Sequence, residues 1–166
     1  MSTQTESIWQ QEMSEIFGEI FQLERKLESL LDKVLAPYNL TTKQWLVLAV
    51  IENLFQRKPS IKEVARQLNT SHQNIKAIAL NLEQRGFVTL ESDPSDKRVT
   101  RLATTLQSKE FWQKREIGDK AYIAALFQYL TSQETLLLQQ LLRKLSDGID
   151  ELSQQISNET KEDYDG

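Results

Sequence analysis

The segment that decides the fold runs from Ser60 to Leu102 and reads SIKEVARQLNTSHQNIKAIALNLEQRGFVTLESDPSDKRVTRL. Its apolar spacing predicts short helices, a tight turn and a longer helix that ends at Gly86. A hairpin follows, with strands predicted at residues 87–90 and 99–102 and a turn at residues 93–98. This order is typical of a winged helix-turn-helix, in which one helix fits the major groove of DNA and the hairpin reaches the groove beside it. We therefore expect a mainly α fold of about six helices with a two-stranded β-hairpin wing.

The composition limits the class of protein. The chain has 166 residues, of which 39% are hydrophobic and 27% are charged, so we expect one soluble globular domain. It contains no cysteine and one histidine, His72, so we expect neither a disulfide nor a metal site built from His and Cys, and no cofactor. No apolar run is long enough to span a membrane, and the N-terminus lacks the regions of a signal peptide. We therefore expect a cytoplasmic protein without a membrane partner.

The charge of the chain is unevenly distributed. The net charge is -4, yet eight basic residues stand against five acidic ones between residues 58 and 101. The positive excess coincides with the predicted winged helix-turn-helix, as expected of a segment that binds DNA phosphates. Chance alone would also produce so small an excess.

Helix starts follow a repeated pattern. A Ser or Thr followed three residues later by Glu or Gln can form a capping box, which satisfies free backbone donors in both directions. The pattern predicts helix starts at Thr41, Ser60, Thr70, Thr104 and Thr131. Pro37 predicts the end of the first helix, and Asn69 and Gly86 suit left-handed positions after helices.

Two long helices flank the central segment. The first is predicted at residues 7–36 and the last at residues 132–156, and each carries an apolar stripe in steps of three and four residues. The stripes consist of Met13, Ile16, Ile20, Leu23, Leu27, Leu30 and Val34, and of Leu138, Leu141, Leu145, Ile149, Leu152 and Ile156. Such a stripe needs a long partner, most economically the same helix of a second subunit, although the two helices could also pair within one chain.

A further helix, predicted at residues 104–130, joins the hairpin to these flanks. We therefore interpret residues 1–166 as a single domain with dimerisation helices at 1–37 and 104–156. The DNA-binding lobe is predicted at residues 41–103, and an acidic tail at residues 157–166 is expected to fray.

The helix predicted at residues 71–84 presents polar side chains at its N-terminal end. Asn and Gln can make paired hydrogen bonds to adenine, and Lys can reach guanine or phosphate. The candidate DNA contacts here are Thr70, Ser71, His72, Gln73, Asn74 and Lys76. Each could instead belong to a solvated helix face, and Gln73 could be partly engaged by the capping box. On the preceding helix, Ser60 and Lys62 are placed to touch backbone phosphate, which fixes position rather than sequence.

The hairpin tip carries the strongest single motif. Asp96 and Arg98 stand two residues apart, so a carboxylate could hold the guanidinium in place before it enters a groove. The narrow minor groove concentrates negative potential and favours arginine. We therefore predict DNA contacts by Asp96, Lys97 and Arg98, although the same residues would also build an ordinary polar turn.

Three runs of residues resemble the MarR family of bacterial winged-helix regulators. They are Asn74-Ile75-Lys76, Leu82-Glu83-Gln84-Arg85-Gly86-Phe87-Val88 and Asp93-Pro94-Ser95-Asp96-Lys97-Arg98. The resemblance extends over nearly the whole chain and implies a homodimer that binds pseudo-palindromic double-stranded DNA, usually as a repressor. It also implies release of DNA when a small aromatic effector binds. The chain departs from the family pattern at Ser95, where a basic residue is common, and at residues 102–106, which replace the usual Leu-Thr-x-x-Gly.

Aromatic residues could line an effector pocket between the flanking helices and the DNA-binding lobe. The candidates are Tyr38, Trp45, Trp112 and Tyr122, and core packing is the alternative for each. The absence of cysteine and the single histidine argue against the family's oxidant-sensing and zinc-sensing mechanisms.

Two functions remain open. The chain could be a sequence-specific transcriptional regulator, or a protein-interaction module that keeps the fold but binds DNA weakly. An enzyme is not expected, because the sequence has no phosphate-binding glycine loop and no catalytic set.

Overall fold

The computed structural model describes residues 3–162, with side chains from residue 8 to residue 159. Six α-helices and two strands make up the described part of the chain. They are α1 (Thr3–Leu35), α2 (Thr42–Leu54), α3 (Ile61–Gln67), α4 (His72–Gln84), β1 (Val88–Ser92), β2 (Thr100–Thr104), α5 (Leu106–Leu126) and α6 (Ser132–Glu162). A single turn of 3-10 helix, Ala36–Tyr38, separates α1 from α2. This is the mainly helical winged helix-turn-helix that the sequence predicts.

The chain divides into two compact units, Met1–Gln113 and Lys114–Gly166. The first unit contains α1 to α4, the hairpin and the first two turns of α5. The second contains the rest of α5 and α6. None of the helices described here combines the length and the apolar character needed to cross a membrane.

The core of the first unit joins helices, strands and the start of α5. Its fully buried side chains include Leu48 of α2, Val64 of α3, Ile75 of α4 and Leu102 of β2. Leu35 brings the end of α1 into the same core, where it has no exposed surface. Val64 and Ala65 of α3 and Ile75 and Ala79 of α4 are all buried in this core, and the opposite faces of both helices are left to solvent.

A pair of hydrogen bonds anchors α1 to the start of α2. The Asp32 carboxylate accepts from the Thr42 backbone N–H at 2.8 Å and from the Thr42 hydroxyl at 2.7 Å. These bonds depress the pKa of Asp32 below its usual value, with the backbone bond as the largest cause. The last turn of α1 is thereby tied to the first turn of α2.

The turn between α3 and α4 requires a left-handed residue. Asn69 adopts φ 46°, a conformation that Asn tolerates better than most residues, and the Thr70 N–H then donates to the Ala65 carbonyl at 2.9 Å. Gly86 adopts φ 78° after α4 and redirects the chain into the hairpin. Both positions confirm the prediction made from residue type.

The hairpin is a two-stranded antiparallel sheet in which Leu90 pairs with Leu102 and Ser92 with Thr100. The strands lie one or two residues later than predicted, because Phe87 and Val99 fall just outside the ladder. On its other side β2 meets the segment before α3, where Ser60 forms a bridge with Arg101. The hairpin is therefore held along both edges of β2.

The C-terminal ends of three helices differ from the predicted ones. Pro37 lies inside the 3-10 turn rather than directly after α1, because proline is well placed in a first helical turn. α5 ends at Leu126 rather than at residue 130, with the turn closed by the Leu130 N–H bonded to the Phe127 carbonyl at 2.9 Å. α6 continues to Glu162, past its predicted end at residue 156, and the fraying of the tail stays a prediction. Residues 163–166 lie outside the described part of the chain.

In the second unit, α6 begins with the predicted capping box. The Thr131 hydroxyl accepts from the Glu134 N–H, and the Glu134 carboxylate accepts from the Thr131 N–H at 2.7 Å. The apolar stripe of α6 is exposed, with 44% of the Leu145 surface and 58% of the Ile149 surface open to solvent. In α1 the stripe from Met13 to Leu23 is likewise exposed.

Candidate nucleic-acid interface

The N-terminus of α4 is capped one residue later than predicted. Ser71, and not Thr70, is the cap, because its hydroxyl accepts the Asn74 N–H at 3.1 Å. The sequence Thr70-Ser71 offers two adjacent caps, and only the fold chooses between them. The predicted capping box at Thr70 is therefore wrong, and the exposed Gln73 side chain is not engaged by it.

The polar side chains of this first turn differ in how freely they can reach a ligand. Asn74 donates from Nδ2 to the Thr70 hydroxyl at 3.0 Å, and Thr70 is half-buried. His72, Gln73 and Lys76 are exposed. Thr70 therefore positions Asn74, whereas the other three present their ends to solvent.

A cleft connects this helix end with the hairpin. It has a volume of about 320 Å³ and brings together groups from α3, α4 and the wing. Its lining consists of Ser60, Ile61, Lys62, His72, Lys76, Arg98, Val99 and Thr100. Two lysines and one arginine thus face a shared space whose lining contains no carboxylate, which is an arrangement suited to an anionic partner.

The two predicted phosphate contacts on α3 have different roles in the structure. Ser60 is buried, and its hydroxyl accepts the Glu63 N–H at 3.2 Å in the capping box that was predicted. Lys62 is exposed in the first turn of α3. Arg66 lies one turn further along, also exposed, and was not among the predicted contacts. The spacing of four residues from Lys62 would have indicated it, because such residues share one face of a helix.

Asp96 and Arg98 are paired at the wing tip. The guanidinium donates from Nε and Nη2 to the two carboxylate oxygens of Asp96, at 3.0 Å each. This pairing depresses the pKa of Asp96, with the Arg98 side chain as the largest cause. Even so, 91% of the Arg98 side chain is exposed, and Lys97 beside it is exposed too. The Arg98 guanidinium is therefore oriented by Asp96 but remains accessible to a binding partner.

Asp93 organises the base of the wing. It is buried, and one of its oxygens accepts from the Ser95 N–H at 2.8 Å and the Asp96 N–H at 3.1 Å. The Ser95 hydroxyl binds the same oxygen and is the main cause of the strongly lowered pKa of Asp93. Ser95, which stands where a basic residue is common, thus builds the turn instead of offering a charge.

The start of α5 also departs from the predicted box at Thr104. Thr105 is the residue that bonds the Ser108 N–H, at 3.2 Å, and its hydroxyl also donates to the Gly86 carbonyl at 2.6 Å. Gln107 instead donates to the Arg85 carbonyl at 3.1 Å. The box at Thr104 is therefore wrong, because these side chains join α5 to the end of α4.

Three of the four predicted effector residues lie in one aromatic cluster of the first unit. The Trp45 and Trp112 rings are 6.1 Å apart, and Phe111 contacts both Tyr38 and Trp112 with ring centroids 5.2 Å apart. Tyr122 belongs to the second unit and is half exposed. Within the described residues, the indole N–H groups of Trp45 and Trp112 and the Ser108 hydroxyl are buried without a hydrogen-bond partner. Buried donors usually have partners, so these three could receive an acceptor.

The titratable groups point to binding rather than to chemistry. Among the residues whose positions are described, no cluster of His, Asp and Glu could hold a metal ion. The depressed pKa values belong to carboxylates in caps and ion pairs; that of Glu63 falls from 4.5 to about 2, chiefly because the Ser60 N–H donates to it.

Comparison with known proteins agrees with this geometry. Residues 38–99 match the sequence model of the MarR family. The chain is 22% identical over 129 residues to the HTH-type transcriptional regulator PrsX of Escherichia coli, covering 78% of each chain. It is 24% identical over 132 residues to the transcriptional repressor MprA of Escherichia coli K12, covering 80% of this chain and 75% of that one.

A solved structure shares the fold. A cysteine-to-serine variant of MarR from E. coli, in complex with operator DNA, superposes with a TM-score of 0.73 at 22% identity, over 81% of this chain and 95% of that one. The two relatives are named as a transcriptional regulator and a transcriptional repressor. The helix order and these similarities make the chain similar to the MarR family of winged helix-turn-helix transcriptional regulators, whose sequence model matches residues 38–99.

Proposed function

We propose that this regulator binds a specific pseudo-palindromic operator as a homodimer and represses transcription. The observation that carries the proposal is the cleft in which Lys62, Lys76 and Arg98 converge from three separate elements. A helix end with amide side chains beside it and an exposed arginine on the wing are the two parts that read adjacent grooves in this class of fold.

Each exposed group takes one role. Gln73 and Asn74 contact base edges, Lys62 and Lys76 contact phosphate, and Arg98 enters the minor groove. These contacts require double-stranded DNA, because α4 and the wing bind in neighbouring grooves of the duplex. Binding to chromosomal DNA also implies that the protein is located in the cytoplasm.

The homodimer is supported by the exposed stripes of the terminal helices. On α6 the leucines and isoleucines from residue 138 to residue 156 share one face, and each is at least one-third exposed. Apolar surface of this extent stabilises a protein when it is covered, by about 25 cal/mol for each Å². A second copy supplies matching stripes, and two copies present two reading heads to the half-sites of a palindrome.

The repressor role and the effector rest on different observations. MprA, which this chain resembles, is named as a repressor. The indole N–H groups of Trp45 and Trp112, whose ring centroids lie 6.1 Å apart, and the Ser108 hydroxyl are buried without a hydrogen-bond partner. A small aromatic acid would place its ring among them and its carboxylate oxygens against the indole N–H groups, and would thereby release the operator.

The test is selection of bound duplexes from a random pool, followed by a salt titration of the selected sequence. A specific operator contact predicts a steep linear fall of log K with log salt, because each phosphate contact releases counterions. A transcription assay on a promoter that carries the selected site then distinguishes repression from activation. Screening aromatic acids against the bound complex tests the effector.

The alternative is a protein-interaction module with the same fold and weak DNA binding. The acidic second unit motivates it, together with Ser95 at a position where a cation is common. A flat salt dependence and no enrichment of any duplex in the selection would favour this alternative and would refute the operator proposal.

A further inference from the structure

The base of the wing is linked to α3 by an arginine that does not face the cleft. Arg101 lies on β2, and its Nε donates to the buried carboxylate of Asp93. Its Nη1 donates to the Lys58 carbonyl at 2.8 Å and lies 3.7 Å from a Glu63 carboxylate oxygen. Only 26% of the side chain is exposed. One guanidinium thus holds the hairpin turn, the segment before α3 and α3 itself.

Glu63 closes this network on the α3 side. The carboxylate oxygen near Arg101 also accepts the Ser60 N–H at 2.7 Å and the Ser60 hydroxyl at 2.8 Å. Its other oxygen is paired with Arg57. The same carboxylate therefore takes part in the capping box of α3 and in an ion pair with Arg101 of the wing.

The backbone strengthens the link. The Leu102 N–H donates to the Pro59 carbonyl at 2.8 Å, and Ser60 and Arg101 form an antiparallel bridge. Within the turn, the Asp93 N–H donates to the Val99 carbonyl, and the Val99 N–H donates to the Asp96 carbonyl, at 2.9 Å each. The wing is therefore fixed to the end of α3 that carries Lys62.

We propose that Arg101, held between Asp93 and Glu63, is a positioning residue that sets the wing against α3 before DNA arrives, without touching DNA itself. The inference rests on the proposed operator binding. A wing that is already ordered in the free protein holds Arg98 at a fixed distance from Lys62 and Lys76. The conformational entropy of the hairpin is then not lost on binding, so it does not reduce the affinity for DNA.

The size of the effect follows from chain entropy. Ordering the backbone of one further residue on binding corresponds to about tenfold in affinity. Arg101→Lys keeps the charge but loses the planar fork that bonds Asp93 and Lys58 together. We expect Arg101→Lys to bind the selected operator about threefold to tenfold more weakly, and Arg101→Gln at least tenfold more weakly.

Two measurements separate positioning from direct contact. The first is the slope of log K against log salt, which should stay at the wild-type value in both variants, since a lost phosphate contact would lower it by about one. The second is hydrogen exchange of the Asp93 and Val99 amides without DNA, which should become faster in both. Arg57→Gln is the matched control, because the Arg57 guanidinium also donates to the Glu63 carboxylate, whereas the bonds to Asp93 and to the Lys58 carbonyl come from Arg101.

Each result bears on the proposal in one way. A slope lowered by about one in Arg101→Gln would make Arg101 a phosphate contact and overturn the positioning role. An affinity equal to that of Arg57→Gln, or unchanged exchange in the wing, would also overturn it. If the wild-type protein selects no duplex, the operator proposal itself fails, whereas normal wild-type binding with an unaffected Arg101→Lys refutes this inference alone. If Arg101→Gln does not fold, the same measurements on Arg101→Lys test the proposal.

Discussion

A Cβ atom placed on Gly86 would lie 2.7 Å from Oε1 of Gln107, so the backbone after α4 passes directly against a side chain of α5. Gln107 is itself fixed there, because its Nε2 donates to the Arg85 carbonyl at 3.1 Å. The positive φ of 78° at Gly86 adds a second reason for glycine at this turn. The junction between α4, the wing and α5 therefore depends on a residue without a side chain.

Replacing Gly86 with alanine should lower the free energy of unfolding by about 1–2 kcal/mol, the cost of a left-handed conformation for a residue with a Cβ. The displaced Gln107 adds to this cost. Urea unfolding followed by circular dichroism would measure it. Gly18→Ala is the control: apart from its chain neighbours and the backbone of α1, no atom of the described residues lies within 4 Å of a Cβ there, so helix propensity should make that variant more stable by up to about 1 kcal/mol.

Arg98→Ala should weaken binding to the selected operator by roughly 1–3 kcal/mol, the value of one good groove contact. Asp96→Asn should have a smaller effect in the same direction, because it removes the charge that orients the guanidinium but leaves the cation. Fluorescence anisotropy at fixed salt measures both. Lys43→Ala, which removes an exposed positive charge from α2, serves as the control, and equal losses in Lys43→Ala and Arg98→Ala would contradict insertion by the wing.

Leu145→Glu should convert the dimer into monomers, because a charge buried in an apolar interface has no partner there. Sedimentation velocity measures the outcome directly. Gln140→Glu introduces the same charge on the opposite face of α6 and should leave the dimer intact. A dimer that persists in Leu145→Glu would show that α6 does not form the subunit contact through this stripe.

The stability of the chain should depend on pH through Glu63. Its pKa in the folded protein is about 2, against 4.5 in the absence of partners, so the ionised carboxylate stabilises the fold above pH 4.5. That contribution, roughly 2 kcal/mol after allowance for screening, decreases as the pH falls from 4.5 towards 2. Thermal unfolding of wild type and Glu63→Gln should differ most at pH 7 and converge as the pH falls towards 2. A constant difference at every pH would show that Glu63 acts without its charge.

Local signals allowed several features to be predicted from residue type alone. The boxes at Thr41, Ser60 and Thr131 join residues three apart, and the Asp96–Arg98 pair joins residues two apart. At such short separations the chain has few alternatives, so the side chains decide the geometry. Where two caps compete, as at Thr70 and Ser71, the local signal is ambiguous and the prediction misplaces the helix start by one residue.

Contacts between distant segments were not predictable in this way. Arg101 meets Lys58, which is 43 residues earlier, and Arg85 donates to Gln44 at 3.1 Å across 41 residues. Nothing in the spacing of these residues indicates that they meet, because their approach is produced by the packing of α2, α3 and α4 on the hairpin. The convergence of Lys62, Lys76 and Arg98 on one cleft has the same origin.

The sequence by itself determined the order of elements, the capping boxes at Thr41, Ser60 and Thr131, the wing pair and the apolar stripes, since each is encoded by residues that are near one another in the chain. Only the tertiary structure decided which residue caps α4, which side chains remain free to bind, and that Arg101 joins the wing to α3. The physical reason is that burial and long-range hydrogen bonding are properties of the folded core, and no short stretch of chain contains them.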